Sequence, residues 1–211
     1  MNMRCGTSGF SHLVKKIPIF PSVRSLQTYV QFVKFDFGIL EDILALVQAA
    51  VEAFTEFEKV CHLTLDELAI EAGERMDFSS KKWVGAATLP SHVGTARKGL
   101  IFLLSGVTRR WKQVVAVHLT NRNAECADKN NNPTGKAMAE LIDEVVIKSE
   151  KTGVRVNGAT CDMGADNQAW WNEKGINVAR AGPVTCSFPH AARPNDQFFR
   201  SSRRSSSLQI D

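Results

Sequence analysis

Two aspartates stand where an apolar run breaks off. Asp66 follows Val60-Cys-His-Leu-Thr-Leu65, and Asp162 follows Val154-Arg-Val-Asn-Gly-Ala-Thr-Cys161. Both runs read as strands, so each carboxylate is expected at a strand end. If the two strands are neighbours in one sheet, the carboxylates lie side by side at a shared edge, where like charges require cations between them. Two magnesium ions roughly 4 Å apart meet that requirement. One would activate water or a 3′ hydroxyl, and the other would stabilise the leaving oxygen of an in-line phosphoryl transfer. Magnesium suits so sparse a site because it keeps several waters and takes phosphate oxygens as ligands. Taken singly, an aspartate at a strand end is also explained as a cap or turn residue. Glu67 reads as an outward or supporting group with a ligand role open, and Asp166 as the N-cap of the following helix.

A second constellation is Arg109, Arg110, Trp111 and Lys112. Its cations could meet phosphates and its ring a base, and the same residues suit a hairpin turn anchored by a tryptophan. Other chemistry finds no support. Cys5, Cys61, Cys126, Cys161 and Cys186 contain no C-x-x-C pair, so they read as reduced thiols of an intracellular protein. His62 and His118 fall inside apolar strands, while His92 and His190 fall in loops with no paired ligand. No serine or cysteine sits in a nucleophile elbow. The net charge of +4 permits a nucleic-acid partner without requiring one. No apolar run approaches the ~18 residues needed to span a bilayer, and no signal peptide opens the chain. The expectation is a soluble protein with no membrane partner.

The elements that must position these residues follow from periodicity. Ser22 caps a helix through Val33, Asp36-Phe-Gly38 breaks it, and a second helix runs from about Ile39 to Phe57 on the stripe Ile39, Ile43, Leu46, Val47, Ala50 and Phe54. This pair resembles a helix-turn-helix, or else packs as a plain helical hairpin. Beyond it come strands at Val60–Leu65, Lys82–Thr88, Gly99–Ser105 and Gln113–Leu119, a polar loop from Asn121, and a helix from Thr134 to about Lys151. That helix buries Met138, Leu141, Ile142, Val145 and Val146; a strand ending at Asp162 and a short helix over 166–174 complete the order. The helical crossover between the first and last of these strands lets them lie parallel. The fold class is α/β; the order is that of an RNase H-like mixed sheet with flanking helices, incomplete, preceded by an N-terminal helical pair, and many other α/β folds begin in the same way. The expected organisation is a disordered N-terminus over 1–16, the helical pair over 17–58, the front part of an RNase H-like catalytic domain over 59–190, and a disordered tail over 191–211.

Several phrases, in order, resemble the P-element-type DNA transposases, the group that includes the THAP-domain transposases. They are Ile17-Pro-Ile-Phe-Pro-Ser-Val-Arg-Ser-Leu26, Phe35-Asp-Phe-Gly-Ile-Leu40, Cys61-His-Leu-Thr-Leu-Asp-Glu-Leu68, Arg110-Trp-Lys-Gln-Val-Val-Ala116 and Cys161-Asp-Met-Gly-Ala-Asp-Asn-Gln168. The resemblance implies a cut-and-paste transposase domain with a DDE triad and Mg²⁺, in which Asp66 and Asp162 are the first two acids and metal ligands. It implies transposon-end DNA as partner and the nucleus as location. The family's zinc-binding domain, dimerising helix and GTP-binding insertion have no counterpart here, and no G-x-x-x-x-G-K phosphate loop occurs, so no GTP site is expected. The third acid, a glutamate after that insertion, is also without a counterpart. A fragment of this kind is expected to be inactive alone; the alternative is a non-catalytic DNA-binding or interaction module from a decayed or domesticated element. The run Arg203-Arg-Ser-Ser-Ser-Leu-Gln209 reads as a frameshifted or mis-spliced tail from about residue 200, or as a plain basic, serine-rich one.

Overall fold

The computed structural model describes residues 36–78, 80–89, 92–121, 133–177 and 183–202, with Arg24 and Thr28 besides. The chain divides into two compact units, Met1–Phe35 and Asp36–Asp211. The helix expected over 22–33 falls almost wholly outside the described residues, as do 1–16, the loop over 122–132 and the tail beyond 202.

In the second unit a seven-stranded sheet has the order β1-β6-β5-β2-β7-β9-β8. Its members are β1 (Gly38–Ile39), β2 (Val60–Ala69), β5 (Lys98–Gly106), β6 (Lys112–Thr120), β7 (Arg155–Cys161), β8 (Ser187–Pro189) and β9 (Gln197–Ser202). Strands β3 (Arg75–Asp77) and β4 (Lys82–Val84) form a separate two-stranded hairpin. Strands β2, β5 and β6 are an antiparallel meander, while β7 lies parallel to β2 and β9 parallel to β7. The helices are α1 (Glu41–Val51), α2 (Pro133–Lys151) and α3 (Ala165–Glu173). A mixed sheet whose central strand is β2 and whose parallel partner arrives through α2 is the order expected from the sequence.

The alternation of β2 decides its two faces. Cys61, Leu63 and Leu65 are buried in the main core with Phe102, Val115, Val156 and Ala159. His62, Thr64 and Asp66 are half-buried on the other face. Helix α2 closes the core with the five expected residues, Met138, Leu141, Ile142, Val145 and Val146, all buried.

Two elements differ from the sequence expectation. Helix α1 ends at Val51 rather than near Phe57, and it buries Ile43, Leu44, Val47 and Val51 while Leu46 is exposed. The reason lies at its start: Gly38 and Ile39 pair with Val117 and Ala116 of β6, which ties the helix to the sheet and sets its rotation. Helix α1 therefore belongs to the same compact unit as the sheet, not to a separate pair ending at residue 58. The last difference is β9, which runs through residues expected in a disordered tail. Phe198 is 1% exposed and packs on Phe188 at 5.3 Å, so one buried side chain anchors the strand while Phe199 points outward at 55% exposure. Gly158 of β7 admits the close approach of β9, since a Cβ there would collide with the Phe199 carbonyl oxygen and lie 3.1 Å from the His62 ring.

Two histidines are held neutral by this packing. Burial pushes both His62 and His118 below the ordinary imidazole value of 6.5. His62 Nε2 lies 2.6 Å from Thr160 Oγ1, and His118 Nδ1 lies 3.4 Å from Thr88 Oγ1. A folded-state pKa below the unfolded one gives stability that is full above pH 6.5 and lost as pH falls through the window beneath it. The melting temperature is expected to drop between about pH 7 and about pH 5, and His62→Gln to flatten part of that drop. A melting temperature constant over this range in thermal scans would contradict the assignment.

Candidate functional site

Asp66 lies within β2 rather than at its end, because Glu67, Leu68 and Ala69 go on pairing with Leu100, Gly99 and Lys98 of β5. Asp162 follows the last residue of β7 directly. The parallel register between these strands runs to Thr64 opposite Thr160. Asp66 and Asp162 each follow two residues later, Asp66 still within β2 and Asp162 just past the end of β7. Neighbouring strands are roughly 4.8 Å apart, so this register sets the two acids on adjacent chain segments.

Each carboxylate is oriented by a backbone amide. The Glu67 N–H donates to Asp66 Oδ1 at 2.9 Å. The Gly164 N–H donates to Asp162 Oδ1 at 2.9 Å, and Asn167 Nδ2 donates to the same oxygen at 2.7 Å. Asp162 thus forms the turn that starts α3, the structural role that aspartate favours, through bonds to Oδ1. Asp166, expected as the N-cap, sits instead in the first turn of α3, and Gly164 holds the cap position.

One cation faces this group. Lys98 Nζ lies 2.6 Å from Glu67 Oε2, a diagonal pairing across β2 and β5. Its pKa is raised first by that hydrogen bond, then by the charge of Glu67 and by Asp166 and Asp162, against an opposing cost of burial. Lys98 is the point at which the charges of Glu67, Asp162 and Asp166 meet. Among the described residues no group of three or more His, Cys, Asp or Glu side chains is gathered closely enough to hold a metal ion. Asp66 and Asp162 offer oxygen donors of the kind magnesium takes, a cation that would complete its shell with water and phosphate oxygens.

The profile of the TNP-like RNase H N-terminal domain matches residues 35–175, a span that contains both acids and the strands carrying them. The chain belongs to this family. It is 24% identical over 176 residues to the transposable element P transposase of Drosophila melanogaster, covering 83% of this chain and 20% of that protein. The chain thus spans about a fifth of the length of that curated relative. In fold it is similar to a chain of the Drosophila P element transposase strand transfer complex, with a TM-score of 0.64 and 22% identity over 94% of this chain and 38% of that one.

Within this TNP-like domain the basic hairpin stands apart from the acids. Gly106 pairs with Cys61 at the start of β2, five residues before Asp66 (66 minus 61). At about 3.3 Å per residue, that is roughly 17 Å. Trp111 Nε1 donates to the Glu58 carbonyl at 3.4 Å, and its ring lies 6.0 Å from that of Phe54. The Arg109 guanidinium sits 4.6 Å from the Phe54 ring and 3.3 Å from Glu58. Both side chains hold the β5–β6 turn onto residues 54–58, while Arg110 is exposed. The sequence pattern alone did not distinguish such an anchor from a stacking platform.

The remaining polar groups hold structure together. His190, 1% exposed, accepts from the Ala192 and Arg193 amides at Nδ1 and donates from Nε2 to the Val156 carbonyl at 2.8 Å. Glu150 of α2 accepts from the Val156 amide at 2.6 Å and pairs with Arg193 Nε at 3.3 Å. Cys61 and Cys161 are buried free thiols, pushed up by that burial to about 12 and about 11. Neither ionises near neutral pH. No helix among the described residues is long and apolar enough to cross a membrane.

Proposed function

We propose that this chain is the front part of a metal-dependent DNA strand-transfer domain, with Asp66 and Asp162 as two of its cation ligands. The observation that carries this reading is the parallel register of β2 and β7, in which Thr64 stands opposite Thr160 and each acid follows two residues later. Membership of the TNP-like RNase H family supports it, as does the match to a P element transposase. When bound, magnesium would supply charge for a phosphodiester displacement. The chain's own part is to fix the two carboxylates by backbone N–H groups and to hold Lys98 within reach of the charge of Asp162. Two carboxylates are an incomplete set for such chemistry, so a further acid would come from a segment outside the described residues. DNA as substrate and the nucleus as location belong to this proposal.

The test is metal binding, which needs no turnover. Manganese, a spectroscopic stand-in for magnesium, is expected to bind the full chain with an affinity that falls at least about tenfold in Asp66→Asn. Electron paramagnetic resonance of free manganese reads this directly. Binding unchanged in both Asp66→Asn and Asp162→Asn would remove the site.

A further inference from the structure

We infer that the β3–β4 hairpin is a stacking clamp for an unpaired DNA strand, with Trp83 taking a base and the neighbouring cations taking phosphates. The inference rests on the strand-transfer reading for its substrate. Its own support is separate. The chain leaves the sheet after Ala69 and returns at Lys98, which are paired with one another. Between them, β3 and β4 pair Arg75 with Val84, Met76 with Trp83 and Asp77 with Lys82. Two strands of three residues cannot enclose a core of their own. Met76 and Trp83, directly opposite, share one face, and that face is open: Met76 is 39% exposed, Trp83 68%, and Phe78 in the adjoining turn 89%. Large rings left in water mark a surface that binds something.

Charge identifies what. Arg75, Lys81 and Lys82 are interleaved with the rings, and cations alternating with aromatic platforms are the chemistry of single-strand binding, because every base offers a π-face. Arg75 pairs with Glu71 at 3.0 Å and Lys82 with Asp36 at 3.3 Å, all four side chains at least 65% exposed. Pairs so exposed contribute little, so phosphates can displace the carboxylates. A second copy of this chain fits less well, since a two-fold contact through the rings sets like-charged hairpins against each other. Position agrees: the excursion begins three residues past Asp66 (69 minus 66), roughly 10 Å along β2.

The experiment titrates the full chain, in EDTA, with a fluorescein-labelled single-stranded oligonucleotide and with its duplex. Trp83→Ala is expected to weaken single-strand binding by roughly five- to a hundredfold, with the duplex little changed and Trp83→Phe retaining most of the affinity. Lys81→Ala combined with Lys82→Ala is expected to flatten the salt dependence by about one to two phosphate contacts. Single-strand binding in EDTA and manganese binding without DNA are separate titrations, so loss of the clamp and loss of the metal site are told apart. The clamp is overturned if the unmodified chain binds no single strand, if Trp83→Ala binds as tightly as the parent, or if that variant instead shifts the sedimentation coefficient from dimer to monomer. Trp83 is exposed, and an unchanged melting temperature confirms that the variant is folded.

Discussion

Asp162→Asn is expected to lower manganese affinity by roughly ten- to a hundredfold while leaving the melting temperature within about 2 °C of the parent. The two halves of that expectation separate the two jobs of this side chain. As a turn residue, Asp162 accepts from the Gly164 amide and Asn167 Nδ2 through Oδ1. Asparagine keeps a carbonyl oxygen in that place, so the turn into α3 survives. As a ligand, the residue offers negative charge beside Asp66, and asparagine removes it. Asp162→Ala removes both functions and is expected to cost about 1 to 2 kcal/mol of stability as well, because two donors lose their acceptor. Urea unfolding of the two variants beside the manganese titration reads each quantity independently. A variant Asp162→Asn that unfolds early yet binds manganese normally would mean that the residue serves only the turn.

What the sequence made legible is what periodicity encodes. The alternation Cys61, Leu63, Leu65 against His62, Thr64, Asp66 is visible in the letters, and so is the three-and-four spacing of Met138, Leu141, Ile142, Val145 and Val146. Together they give the meander, the crossover and the parallel pairing on which the Asp66 and Asp162 site depends. Short elements are not legible in this way. Gly38–Ile39 is too short to carry any period, and its strand character comes entirely from its hydrogen-bonded partners in β6. In Gln197–Ser202 each face carries a single phenylalanine, Phe198 inward and Phe199 outward, among polar residues, so no alternation marks it as a strand. At the site, the error over Asp66 has a related cause. Glu67 looks like a strand end because it is charged, but Lys98 stands diagonally across from it and compensates that charge. A cross-strand ion pair is a tertiary fact that no local window contains. For Trp111 the sequence left two readings open, a nucleic-acid contact and a hairpin anchor, and the contacts with Phe54 and Glu58 lie more than fifty residues away, outside any local window.

Trp170→Ala is expected to be the most damaging of these substitutions to the fold, at about 3 to 5 kcal/mol. Trp170 is fully buried, the largest side chain in the core that is so, and it stands edge-on to Phe188 at 6.2 Å. Phe188 in turn packs on Phe198, and Phe198 on His190 at 5.4 Å. Removing the indole therefore opens a cavity between α3 and the two outer strands. That cavity sits beneath elements with few other anchors, since β8 is three residues long and β9 is held inward by Phe198. Typical domains have only about 5 to 15 kcal/mol of net stability, so the variant should unfold at markedly lower urea. The effect reaches the site through α3. Its first turn is where Asp162 and Asn167 are hydrogen-bonded, and a helix that rocks over a void holds that carboxylate less firmly. Trp170→Phe, which refills much of the volume, should recover most of the stability and the manganese affinity together. If Trp170→Ala lost stability but kept full manganese affinity, the rigidity of α3 would have no part in positioning Asp162.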